Sequence, residues 1–270
     1  MSFSSNVLDI EINGHIATVW LDRPEKLNAV NMDMWCDLPK AMQAVAENNE
    51  VRAVVVAGRG PSFCVGIDLS SFTGEADFST ASSFVEQQRV TKICQDAITA
   101  VADCPVPVIA AIHSHCLGAG VDLATACDIR LASHDATFGI RETKIGIVAD
   151  VGTLQRLPAI VGAGHVAELA YTGKDINADR AQQIGLVNDC YDDVKSVHVA
   201  AQKMAEEIAA NAPLAVRGTK LILQQGEDMT TEQSLLLNGL LTMTTTLNSN
   251  DLKEAMLAFM QKRPAKFTGS

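Results

Sequence analysis

The chain has 270 residues, 47% of them apolar and 20% charged, a composition that excludes disordered and fibrous classes and allows one large buried core or a core with an appendage. With 21 Lys and Arg against 32 Asp and Glu, the formal charge of −11 repels a phosphate backbone and gives no support to nucleic-acid binding. Seven cysteines are an odd set with no CxxC pair and mostly apolar neighbours, so they read as reduced core thiols rather than a disulfide framework.

Strand-like runs alternate with helical patterns, which predicts an α/β arrangement. In chain order the pattern gives a strand over residues 17–21, a helix over 32–47, a strand over 53–57, a helix over 82–102 and a strand over 106–112. A helix over 119–126, a strand over 129–132, a helix over 161–172 and a short strand over 186–188 follow. RAVVVAG and PVPVIAAI are continuous apolar runs, as expected of strands covered on both faces. From about Asp193 the character changes: Val197, Ala200, Ala201, Met204, Ala205, Ile208 and Ala209 recur at helical spacing. Residues 1–195 therefore read as the core and 196–270 as a helical appendage. The ends, MSFSSNVLDIEI and KFTGS, carry neither an export signal nor an SKL-type address. The longest uncharged stretch, 104–121, is broken by prolines, histidines and glycines and does not suit a membrane span. The location expected from these features is the cytosol.

Two turns and three acids carry the chemistry. In SFCVGIDL, residues 62–69, a glycine after a strand lets backbone approach a ligand closely, and the next amide, that of Ile67, is free to point into a cleft; the alternative is a plain strand-to-loop turn. In HCLGAGVDL, residues 115–123, small residues open a helix whose unpaired amides and dipole favour negative charge at Ala119; the alternative is that GAG only permits close helix packing. Two such donors on one oxygen make an oxyanion hole. Asp122 lies one helical turn beyond Ala119, Glu142 lies 20 residues on, and Asp150 a further 8, all three in apolar stretches where a carboxylate is costly unless paired, hydrogen-bonded or used. Asp150 also has the look of an N-cap for the run that follows it, and Glu142 that of a surface partner for Lys144 or Arg141. His113, His115 and Cys116 lack a second ligand pair and read as structural rather than as a metal site, and Cys64 and Cys116 read as packing.

The segments LDRPEKLNAV, SFCVGIDL, PVIAAIHSHCLGAGVDLATACDIRLAS, ATFGIRETKIGIVADVGTLQRLP and AFMQKRPAKF occur in order along nearly the whole chain. Together they resemble the crotonase, or enoyl-CoA hydratase/isomerase, superfamily. The resemblance implies a ClpP/crotonase-like spiral of repeated ββα units with a helical C-terminal region used for oligomerisation. The assembly it implies is a homotrimer or a dimer of trimers, and the substrate an acyl-CoA thioester, with no cofactor beyond the CoA of the substrate, no metal, no nucleic acid and no membrane. It carries the oxyanion hole onto the amides of Ile67 and Ala119; many members have glycine where Ala119 stands, but alanine keeps the N–H. It also implies substrate and CoA contacts at Val65, Gly66, Asp68 and Leu69, at Arg23, Lys26 and Leu27, and at Phe259 and Lys262.

Simple hydratases of this family carry two glutamates where this chain has Asp122 and Glu142, and a glycine where it has Asp150. The set Asp122, Glu142 and Asp150 within VADVGTLQRLP resembles the dienoyl-CoA isomerase branch, which converts 3,5-dienoyl-CoA to 2,4-dienoyl-CoA in fatty-acid β-oxidation. On that resemblance Glu142 serves C2, Asp150 serves C6, and Asp122 orients its neighbours or holds a proton. The alternatives are a 2-enoyl-CoA hydratase using Asp122 and Glu142, with Asp150 merely capping, and a non-catalytic acyl-CoA- or RNA-binding protein on the same fold.

Overall fold

The computed structural model describes residues 3–72, 83–226 and 228–270. Its main sheet has six strands in the order β1-β2-β3-β4-β6-β9, formed by Leu8–Asn13 (β1), Ile16–Leu21 (β2), Ala53–Gly58 (β3), Val108–Ile112 (β4), Ile129–Ser133 (β6) and Asp189–Tyr191 (β9). Only the β1–β2 hairpin is antiparallel; the rest run parallel, and β3 and β4 are buried along their whole length, as their unbroken Val, Ile and Ala content requires. A smaller sheet joins His115–Leu117 (β5), Thr137–Gly139 (β7) and Asp175–Asn177 (β8), and two isolated bridges, Val30 with Ile67 and Cys64 with Cys116, continue that ladder.

The chain passes repeatedly from a main-sheet strand to a short stretch of the second ladder and then into a helix. Helices Met32–Glu47 (α1), Phe84–Ala102 (α2), Ala119–Ala126 (α3) and Thr153–Val161 (α4) close successive passes. Local chemistry sets several of their starts. Asn31 accepts from the Met34 amide at 3.0 Å, and Ser83 and Glu86 form a reciprocal capping box on α2. Beyond α4 come Ala163–Thr172 (α5), Ala178–Gln183 (α6), Val194–Ala209 (α7), Pro213–Gly226 (α8), Thr231–Leu241 (α9) and Asn250–Gln261 (α10).

Helices α1 and α2 pack together over one face of the main sheet and, with α3 to α6, enclose the larger core. On the other face α7 buries Val197, Ala201, Ala205 and Ala209 against Val55, Ile109 and Leu131. The division expected after residue 195 falls inside α7, whose small-residue stripe makes it a layer of the core. The helical tail proper begins with α8, where a buried Lys220 pairs with Asp128 at 2.7 Å and donates to the Val106 carbonyl at 3.0 Å.

Several elements differ from expectation. The helix expected over 161–172 is α5 and starts at Ala163, because Gly162, at φ 82°, separates it from α4, a helix that was not expected. The strand expected at 186–188 lies at Asp189–Tyr191, since only there does the chain run beside β6. The start of the helix expected at residue 82 lies outside the described residues. Strands β5, β7 and β8 are only three residues long, too short for a periodic pattern, whereas β1, LDIEIN, was not expected although its residues alternate between apolar and polar.

Candidate active site

Two main-chain turns abut where the second ladder meets α3. The Val30 amide donates to Gly66 O at 2.8 Å and the Val30 carbonyl accepts from the Asp68 amide at 2.9 Å. In such a parallel bridge the amide of the intervening Ile67 points away from Val30. On the neighbouring segment the Leu117 amide donates to Cys64 O at 3.0 Å and the Gly118 amide to Gly139 O at 2.9 Å, after which the chain turns into α3. Gly118 is the N-cap, with φ 51°, ψ −119° and no side-chain cap, so the Ala119 amide is one of the free donors of a helix start. A Cβ on Gly66, at φ 101°, would lie 3.0 Å from Leu117 O and 3.8 Å from the Ala119 nitrogen. A Cβ on Gly118 would lie 3.7 Å from the Gly66 Cα and 3.2 Å from Glu142 Oε1. Glycine at both positions is what allows the turns, and the carboxylate above them, to converge.

The three acids reach this place by different routes. Asp122, 2% exposed on α3, accepts from the Thr153 amide through Oδ1 at 2.6 Å. It thereby satisfies the first amide of α4, whose N-cap, Gly152, offers no side-chain bond. The capping role anticipated for Asp150 therefore falls to Asp122, reaching from another helix. Glu142 opens a single helical turn, Glu142–Ile145, fixed on one side by the Arg141–Asp175 ion pair and on the other by Thr143 Oγ1 donating to Ala170 O at 2.9 Å. Arg141 is thus committed to Asp175, and Glu142 Oε2 is buried with no hydrogen-bond partner. Asp150 lies in the irregular stretch before α4 and is solvent-exposed, in contrast to the apolar enclosure expected for it, yet it lines the same cavity as the other two.

Burial pushes the Glu142 carboxyl up to about 7, aided by the charges of Asp122 and Asp150 and opposed by main-chain hydrogen bonds. Burial raises Asp122 as well, with the hydrogen bonding of Thr153 acting against it, and the same cause raises Asp150. A group of carboxyls that resists full ionisation can hold and pass protons near neutral pH. Cys64 and Cys116 are fully enclosed, and burial pushes the Cys64 thiol up to about 12, which agrees with a packing role and not with a nucleophile.

The cavity measures about 450 Å³. Val65, Gly66, Ile67, Asp68, Leu69, Gly118 and Ala119 line it together with Asp122, Glu142 and Asp150, and the lining also includes Trp35, Ile145, Ile147, Val148 and Val151. Val148 and Leu69 are 68% and 56% exposed, so an apolar surface open to solvent leads to the acids, as suits a ligand with an aliphatic chain. Val148 and its neighbours were legible in the sequence as the apolar run IGIVAD between two acids. Trp35 gave no such signal, because only the fold brings α1 to the cavity, and Thr153 gave none because only the fold sets its amide on Asp122.

The remaining expected contacts are not in this lining. Arg23 pairs with Asp68 at 3.1 Å and donates to Ala29 O, which bolts the segment 23–30 to the first turn. Lys26 and Leu27 are exposed on the adjacent turn, where Leu27, at φ 51°, accepts from the Val65 amide at 3.3 Å. Phe259 and Lys262 are exposed at the end of α10, remote in sequence from every lining residue.

Residues 11–270 match the sequence model of the family described as Enoyl-CoA hydratase/isomerase. The chain is 41% identical over 253 residues to the peroxisomal Delta(3,5)-Delta(2,4)-dienoyl-CoA isomerase of Arabidopsis thaliana, covering 92% of this chain and 90% of that one. It is 38% identical over 258 residues to the mitochondrial protein of the same name from Mus musculus, covering 93% and 78%. The crystal structure of an enoyl-CoA hydratase from Bacillus anthracis superposes with a TM-score of 0.91 at 29% identity, covering 98% of this chain and all of that one. The α/β spiral with a helical C-terminal region is accordingly the fold of this chain. The cytosolic location is corrected: these isomerase relatives are named for the peroxisome and the mitochondrion. Reduced core thiols do not distinguish one reducing compartment from another.

Proposed function

We propose, from the premise that the chain belongs to the enoyl-CoA hydratase/isomerase family, that it isomerises 3,5-dienoyl-CoA thioesters to 2,4-dienoyl-CoA. The observation that carries this reading is the third acid: Asp150 lines the cavity with Glu142, while Asp122 is occupied by the amide of Thr153. A hydratase working through Asp122 and Glu142 needs both carboxyls free to handle one water, and Asp122 is buried and committed to a helix end.

In the proposed reaction Glu142 takes a proton from C2, next to the thioester carbonyl, and the electron pair spreads over C1 to C6 as a dienolate. The amides of Ile67 and Ala119 hold its oxygen; removal of one donor of this kind typically costs about 10²- to 10³-fold in rate. Asp150 delivers a proton to C6, which leaves double bonds at C2 and C4. The cycle begins with Glu142 ionised, as a carboxyl near 7 is above that pH, and with the C6 proton carried by Asp150, whose carboxyl burial raises. Asp122 orients the start of α4 and takes no proton from substrate. The apolar walls around Trp35, Ile147 and Val148 receive the acyl chain, while Val65, Gly66, Asp68 and Leu69 flank the thioester.

Lys26 and Leu27, with the segment Arg23 holds in place, are assigned to the CoA end, and Phe259 and Lys262 to the CoA of a neighbouring subunit. This last assignment rests on the tail: Leu235, Leu236, Leu240, Met243 and Met260 are all more than half exposed in the single chain, which supports burial in a trimer or a dimer of trimers.

The test measures two turnovers with one enzyme, isomerisation of a 3,5-dienoyl-CoA and hydration of crotonyl-CoA. Isomerase turnover well above hydratase turnover supports the reading. The reverse, or tight CoA-ester binding without either reaction, refutes it.

A further inference from the structure

The stretch that carries Asp150 has little holding it. Its upstream end is tied where the Ile147 amide donates to Glu142 O at 3.0 Å, and its downstream end where Thr153 meets Asp122. Between these points, among the described residues, a single hydrogen bond ties residues 148–151 to another element: Gln95 Nε2 donates to the Asp150 carbonyl at 2.8 Å. Gln95 is half-buried on α2, one residue after Cys94, a fully enclosed thiol that feels the charges of both Asp150 and Asp122. Helix α2 is thus the wall behind the two aspartates. It is itself fixed, since Ala97, Ile98 and Val101 are buried in the core and Arg156 of α4 reaches Thr99 at 3.3 Å.

We infer that Gln95 is a positioning residue for the proton transfer assigned to Asp150, setting the height of its carboxyl over the far end of the acyl chain. The inference rests on the isomerase reading and adds to it. An exposed carboxylate on an irregular segment has many rotamers and a mobile backbone, and proton transfer requires hydrogen-bond reach to one carbon. Anchoring the carbonyl of the same residue removes the backbone part of that freedom at its source. Glu142 has its own support in Arg141–Asp175 and Thr143, so the two proton transfers are held by separate scaffolds and can be disabled separately.

The experiment compares Gln95→Leu, which keeps volume and removes the donor, with the wild type on a 3,5-dienoyl-CoA in D2O. Two quantities are read: deuterium entering C2 of recovered substrate, which needs Glu142 and the oxyanion hole, and formation of 2,4-dienoyl-CoA, which needs Asp150 too. A misplacement on the order of 1 Å costs roughly 10²-fold, so the expected result is product formation reduced by about 10- to 100-fold with C2 exchange at the wild-type rate and an unchanged KM. An equal fall in both quantities would mean general damage to the site and would overturn the inference, as would an unchanged rate of product formation. Wild-type turnover is measured first: its absence sinks the isomerase reading itself, whereas normal wild-type turnover with an unimpaired variant sinks only the role of Gln95.

Discussion

Two aspartates in one cavity are held in opposite ways. Asp122 sits on α3, sealed from solvent, with one oxygen spent on the first amide of α4. Asp150 sits on an irregular, exposed stretch, its carboxyl free and its backbone held by Gln95. A buried carboxylate must be compensated, and the compensation at Asp122 doubles as architecture: it joins two helices and fixes where the stretch before α4 ends. An exposed carboxylate at a cavity wall keeps its hydrogen-bonding capacity for a ligand. Residue type alone does not separate these roles; commitment of the oxygens does.

The largest expected effect comes from the acid between them. Glu142→Gln removes the base for C2, and since general acid–base catalysis is worth roughly 10²- to 10⁴-fold, isomerisation and C2 exchange should both fall by that amount in steady-state and deuterium assays. Equal loss in both is the signature; exchange that survives would assign the C2 proton elsewhere.

Next comes the comparison itself. Asp150→Asn should lower isomerisation by roughly 10²- to 10³-fold, whereas Asp122→Asn, which keeps an oxygen for the Thr153 amide, should cost about tenfold or less. Rates in the opposite order would exchange the roles of the two residues.

Stability should rank them the other way. Asp122→Leu leaves the Thr153 amide buried and unpaired, a loss of about 1–3 kcal/mol by chemical denaturation, and Asp150→Leu should be within about 0.5 kcal/mol of wild type. A destabilised Asp150→Leu would give that residue the structural role assigned here to Asp122.

The smallest effect is in pH dependence. Because the Glu142 carboxyl is raised from 4.5 to about 7, the rising acid limb of kcat/KM should be centred at about 7. For stability the sign follows from proton binding: between 4.5 and 7 the folded chain holds this proton and the unfolded chain does not, so stability falls as pH rises across that window. Glu142→Gln should therefore be more stable than wild type at pH 8, on the order of 1 kcal/mol, with the gap closing by pH 4.5. A gap that does not change with pH would remove Glu142 as its source.

Much of this was legible in the sequence where periodicity or spacing carried it. Helices α1 and α3 lie where helical patterns were read and the buried strands β3 and β4 where the apolar runs are unbroken, and the glycines of CVGID and GAG mark the turns that the positive φ of Gly66 and Gly118 requires. The candidate acids were found from their spacing and apolar context. What one dimension does not hold is which oxygen meets which amide. Asp150 stands before α4 and has the look of a cap, but the bond to Thr153 comes from Asp122, 31 positions upstream, through α3–α4 packing. Gln95 was silent for the same reason, being one polar residue in a long amphipathic helix until the fold sets it under Asp150.

The most direct test of two carboxylates serving two carbons is to follow deuterium through Asp150→Asn with a 3,5-dienoyl-CoA in D2O, resolving C2 and C6 by NMR. The account predicts deuterium at C2 of the recovered substrate, none at C6 and almost no 2,4-dienoyl-CoA. Product formed at the wild-type rate with label at C6 would contradict it.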